Sequence, residues 1–174
     1  MPVLARDVMK TEVTTVLPTT SIEDLIQLLR VSYFTAVPVV DTEGKAVGLI
    51  SETDILRALA YTISPPQSGE FATKPDKPRD KGVTTRILRA AQREVEIHAT
   101  SIMRELLTRE VRELMTPVVI SCSPDDELYT VCETVVWKEV HRIVVIDAEG
   151  KVVGLISTLD LAEAFGRDLK ARKE

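Results

Sequence analysis

Gly48-Leu49-Ile50-Ser51-Glu52-Thr53-Asp54 and Gly154-Leu155-Ile156-Ser157-Thr158-Leu159-Asp160 are two versions of one phrase. Each runs from an apolar, strand-like stretch into a helix start, with a hydroxyl and a carboxylate at the turn. Asp160 lies 106 positions after Asp54. The same offset relates Arg6 to Arg112, Met9 to Met115, Pro18 to Pro124, Asp41 to Asp147 and Gly44 to Gly150. No insertion or deletion breaks it. The chain is an internal duplication, and its function is to be sought in what two copies make together.

Working outward, the first copy reads as a helical lead-in over Leu4–Met9 and a strand over Val13–Leu17 that Pro18 stops. A helix follows. Thr20 or Ser21 can cap it, Thr20-x-x-Glu23 fits a capping box, and Ile22, Leu25, Ile26, Leu28 and Leu29 give it a broad apolar face. Ala36–Val40 is apolar on both faces, as a buried strand should be. Asp41-Thr42-Glu43-Gly44 is a turn into a second strand, Val47–Ser51, and Thr53–Tyr61 is the closing helix. The second copy repeats the order with a strand over Val118–Cys122, a helix capped by Asp126, strands Arg142–Ile146 and Val152–Ser157, and a helix over Leu159–Phe165. Each copy is thus strand–helix–strand–strand–helix, a mixed α/β (α+β) unit. One such unit is too small to cover both faces of its sheet, so the two copies should pack together with pseudo-two-fold symmetry.

Between the copies the composition changes. Residues 64–83 are rich in proline, glycine and charge and read as a flexible loop. Over 84–108 the apolar residues Ile87, Leu88, Ala91, Val95, Ile102, Met103, Leu106 and Leu107 recur at helical steps. That long helix is extra to the repeat and serves either as a connector packed on the core, the reading favoured here, or as a dimerisation helix. The expected divisions are 1–63 for the first repeat, 64–83 for the loop, 84–108 for the connector helix and 109–174 for the second repeat with its tail.

Composition narrows the function. A net charge of −5 argues against a nucleic-acid partner held by phosphate neutralisation. No apolar run approaches the roughly 20 residues that span a bilayer, so no membrane partner is expected and cytoplasm is the expected location. Cys122 and Cys132 fit no zinc spacing and read as buried free thiols, and no metal site is expected. His98 and His141 are the two histidines; there is no Ser-His-Asp arrangement or glycine-rich phosphate loop, and Ser51 and Asp54 have no nearby base. No catalytic residue is assigned, and the chain is not expected to be an enzyme.

With Val8-Met9 and Leu114-Met115 at the lead-ins, a Pro-stopped first strand, Asp-x-x-Gly between paired strands and Gly-x-x-Ser-x-x-Asp at the end, each copy resembles a CBS domain, and the pair resembles a Bateman module. The resemblance covers nearly everything except residue 64 to about residue 108. It implies clefts between the repeats that bind adenosyl ligands: AMP, ADP, ATP or S-adenosylmethionine, with no required cofactor. Carried over by position, Asp54 and Asp160 hold a ribose diol, and Ser51 and Ser157 stand near phosphate beside helix N–H groups. Thr53 matches a second hydroxyl position, which Leu159 replaces in the second copy. His141-Arg142 resembles the His-Arg pair of the γ subunit of AMP-activated protein kinase and is expected at phosphate, serving either site. The first copy has Thr35-Ala36 there. Phe34, Thr35, Leu49 and Leu155 are expected at the adenine. Each pick has a plainer alternative: helix-start carboxylates for the aspartates, turn hydroxyls for the serines, close backbone packing for Gly48 and Gly154.

Two functions follow as expectations. One is a regulatory module that senses an adenine nucleotide and passes its state to a protein partner or a homodimer mate. The other is a ligand-free dimerisation scaffold.

Overall fold

The computed structural model of the chain describes residues 2–32, 34–63 and 99–171. The expected loop 64–83, the first part of the connector helix with His98, and the end of the tail lie outside these. The first copy provides α1 (Ile22–Ser32), β1 (Ala36–Val40), β2 (Ala46–Ser51) and α2 (Glu52–Ile63). Then come α3 (Ala99–Thr108) and the short α4 (Val111–Leu114). The second copy provides β3 (Ser121–Cys122), α5 (Leu128–Trp137), β4 (Arg142–Ile146), β5 (Val152–Ser157) and α6 (Thr158–Ala171).

Both hairpin turns are built alike. Asp41 Oδ1 accepts N–H bonds from Glu43 and Lys45, and Asp147 Oδ1 accepts them from Glu149 and Lys151. Gly44 and Gly150 follow at φ 84° and 81°, a left-handed conformation that a side chain would strain. In the second copy β3 runs parallel to β4, and β4 pairs antiparallel with β5, Arg142 opposite Ser157.

The two copies differ in their first strand. Val13–Leu17 is not a strand; it makes one parallel bridge, Val16 to Val39. The reason is Pro38. In the second copy the equivalent Val144 donates its N–H to Ile120 O and extends the ladder. Proline has no N–H to give, so the bond that Val144 makes has no equivalent in the first copy, which pairs through Val16 N to Pro38 O and Val40 N to Val16 O. The expected strand Val118–Cys122 likewise shortens to its last two residues. Of the two caps expected for α1, Ser21 accepts the N–H of Asp24 at 3.1 Å. Asp126 does not cap α5; its carboxylate accepts from Ser123 N instead, and Glu127 at the cap makes no side-chain bond.

Contacts divide the chain into two compact units, and the division cuts across the repeats. The first holds Met1–Pro18, Val37–Ile50 and Thr116–Glu174. Its core gathers Ala5, Val131, Val135, Ile143, Val145 and Ile156, with Met9, Cys122 and Leu161 packed against them. Fully burying one such aliphatic side chain stabilises the fold by about 1.5–3 kcal/mol. The lead-in of the first copy is therefore part of the second copy's core. Ala5 N and Arg6 N donate to Asp126 O and Pro124 O, Leu128 N donates to Val3 O, and Lys10 and Leu155 exchange both backbone bonds. Lys45 and Lys151, equivalent residues, pair with each other where the hairpin turns meet.

The second unit holds Thr19–Ala36 and the described part of Ser51–Met115. Here α3 packs on both α1 and α2, and Leu106, Ile22 and Leu25 are buried. The described part of the extra helix thus packs on the helices of the first copy. The lead-in of the second copy serves the first in return: Val111 N donates to Thr20 O, and Ile22 N to Arg109 O. These bonds are the ones above displaced by 106 in both partners, as two-fold exchange requires.

Candidate functional site

Each Gly-x-x-Ser-x-x-Asp phrase ends a strand and starts a helix, so its serine is the N-cap and its aspartate the third helical residue. That spacing makes a capping box. In the second unit, Asp54 Oδ2 accepts Ser51 N–H at 3.0 Å and the Ser51 hydroxyl at 2.6 Å, while Ser51 Oγ meets Asp54 N at 3.4 Å. In the first unit, Asp160 Oδ2 accepts Ser157 N–H at 2.8 Å and the Ser157 hydroxyl at 2.6 Å, with Ser157 Oγ at 3.2 Å from Asp160 N. Both serine hydroxyls donate to their own aspartate. Both aspartates are helix-start carboxylates in this structure, and in each the cap uses Oδ2.

The second oxygens have different company. Asp54 Oδ1 accepts Arg57 Nη1 at 3.0 Å, from one turn along the same helix. Asp160 Oδ1 lies 3.7 Å from Lys10 Nζ, beyond hydrogen-bond reach, and the Lys10 side chain is 67% exposed. Neither cation was picked out from the sequence. Arg57 stands three residues after Asp54, a helical pairing distance that spacing alone could have flagged. Lys10 depends on the lead-in exchange and had no local signal.

Around Asp160 the first unit assembles most of the expected second-copy residues. Leu155 is half-buried and tied by its backbone to Lys10. His141, exposed at the start of β4, gives its carbonyl to Thr158 N at 3.0 Å, and Arg142 sits opposite Ser157 in the ladder. His141 and Arg142 thus lie on the strand that borders the start of α6, and the Lys10 ammonium approaches it from the lead-in. Gly154 is needed for this arrangement: a Cβ built there would stand 2.5 Å from Met9 Sδ and 3.1 Å from Met9 Cβ. The close packing expected of that glycine is that of the lead-in on the strand.

Around Asp54 the second unit places Thr35, whose carbonyl accepts Glu52 N at 3.0 Å, with Phe34 and Thr53 exposed nearby in sequence. A cavity of about 370 Å³ lies along α2, lined by Asp54, Arg57, Ala58, Tyr61, Arg109 and Glu113 among others. The Glu110 N–H and the Arg109 guanidinium hold the Glu113 carboxyl below its usual range. Leu49 lies two residues before Ser51 in β2 and exchanges both backbone bonds with Thr116.

Among the described residues, no group of three or more His, Cys, Asp or Glu side chains is placed to hold a metal ion, and no helix is long and apolar enough to cross a membrane. Cys122 and Cys132 are free, and burial pushes the Cys122 thiol up to about 11, with Asp126 adding to the effect.

The family described as the CBS domain matches residues 5–61 and again residues 111–167. The chain belongs to the CBS domain family. An uncharacterized protein of Methanocaldococcus jannaschii, MJ1426, is 28% identical over 167 residues, which span 93% of this chain and 90% of that protein. Two solved structures share the CBS-pair fold. CBSX2, crystallised in complex with AMP, is 19% identical with a TM-score of 0.64, covering 94% of this chain and 96% of that one. The CBS domain pair of MJ0100, in complex with 5-methylthioadenosine and S-adenosyl-L-methionine, is 19% identical with a TM-score of 0.63, covering 97% and 99%.

Proposed function

We propose that this CBS pair is a regulatory module that binds an adenosyl ligand, with AMP, ADP and ATP as first candidates and S-adenosylmethionine as another. The supporting observation is the surround of Asp160. Asp160, its Oδ1 3.7 Å from Lys10 Nζ, stands at the start of α6, where the backbone of Thr158 is bonded to His141 and Arg142 pairs with Ser157 in the ladder. A carboxylate can accept from a ribose diol, and cations at a helix start suit phosphate. The adenosyl compounds bound by CBSX2 and by MJ0100 support the ligand class. The module performs no catalysis in this reading and passes its state to a protein partner or to a second copy of itself. Isothermal titration with the four ligands tests it. At least one should bind, and Asp160→Ala should weaken that binding about a hundredfold, the loss of two hydrogen bonds to a charged group. Absence of binding by any of the four at millimolar concentration ends this reading.

A ligand-free scaffold has its own support. The capping boxes satisfy one oxygen of each aspartate with no ligand. Exposed Val136, Trp137, Leu159 and Phe165 present apolar area that a homodimer would cover. Light scattering at micromolar concentration should give a dimer mass; a monomer counts against both the scaffold and the homodimer.

A further inference from the structure

We infer that the two ribose clamps are unequal because Arg57 occupies the first, leaving Asp160 as the tight site. This rests on the adenosyl reading above and assigns that ligand to one position.

Both aspartates commit Oδ2 to their own N-cap, which receives two donors in each case. A diol must therefore be gripped largely through Oδ1. At Asp54 that oxygen already holds a charge-assisted bond from Arg57 at 3.0 Å, while the two carboxylates are almost equally buried, at 12% and 14% exposure. A diol arriving there must displace the guanidinium, and a hydrogen bond to a charged group sets a handicap of about tenfold or more in affinity. Arg57 also lines the cavity along α2 together with Asp54.

At Asp160 the corresponding obstacle is missing. The residue 106 positions after Arg57 is Glu163, an exposed acid that repels the carboxylate instead of binding it. Lys10 stays at 3.7 Å on a long, exposed stem. It neutralises Asp160 while the site is empty and swings to an incoming phosphate without breaking a hydrogen bond. The lysine tunes an open clamp; the arginine fills a closed one.

Titration of AMP, or whichever of the four ligands binds best, into four proteins tests this. The wild type should show one tight site per chain. Asp160→Ala should lose it. Arg57→Ala should add a second site, about tenfold or more stronger than any residual binding there before. The double variant Arg57→Ala/Asp160→Ala should keep that new site alone. Circular dichroism of each variant checks folding, and alanine at position 57 suits a helix. Two equal sites in the wild type, or retention of the tight site in Asp160→Ala, overturns the inference while leaving the adenosyl reading intact. Loss of binding in Arg57→Ala overturns it too, since the arginine would then be a ligand contact. No binding by any of the four proteins removes the adenosyl reading and the inference together.

Discussion

Asp54 and Asp160 sit in capping boxes whose bonds agree to within 0.2 Å, 3.0 against 2.8 Å for the serine N–H and 2.6 Å in both for the hydroxyl. Their outer oxygens nonetheless meet an arginine in one copy and a distant lysine in the other. The conserved part of the repeat is thus the part that starts a helix. What differs is the part that faces a ligand. A duplicated chain can hold its backbone geometry fixed at both positions while each site drifts in chemistry, because the cap needs only the serine and aspartate that both copies share, whereas Arg57 and Lys10 have no like counterpart in the other copy.

That contrast can be broken or sharpened by substitution. The largest effect on stability should come from Gly154→Ala, which drives a methyl into Met9 and pries the lead-in from the strand beside Asp160. Overpacking of this kind costs about 1–3 kcal/mol, read as a lowered urea midpoint, and Met9→Ala in the same protein should return part of it. Next come Ser51→Ala and Ser157→Ala. Each removes an N-cap and should cost about 1 kcal/mol in thermal or urea unfolding. Equal losses sharpen the claim that the caps are equivalent; a gap of more than about 1 kcal/mol breaks it. The smallest effects belong to the cations. Arg57→Ala should cost about 0.2–0.5 kcal/mol, as for a helical ion pair, and the loss should shrink in high salt. Lys10→Ala, with no hydrogen bond to lose, should leave the unfolding midpoint unchanged.

Much of this was legible in the residues. The 106-residue offset carried the fold, because a hydrophobic pattern repeated without a gap fixes which strand and which helix correspond. β4 and β5 have the ends expected from the repeat, and β1 is buried along its whole length as its apolar run required. Val13–Leu17 failed as a strand because a ladder has two sides, and the missing donor was on Pro38, in another segment. At the clamps, the serines and aspartates were found, but the sequence offered two jobs for each, ligand contact and cap. The structure shows the cap directly. Lys10 was invisible for a physical reason: its nearness to Asp160 arises from bonds between Lys10 and Leu155, which lie far apart in the chain.

The exchanged lead-ins carry a further consequence. Val3–Lys10 completes the copy it does not belong to, and Val111 does the same in return. Once such reciprocity is in place, the duplication works as a ratchet. A lone copy would carry an arm with no dock and a dock with no arm, exposing backbone donors and an apolar groove at once. Neither half can be shed or transplanted by itself, so the smallest heritable piece of this protein is the pair.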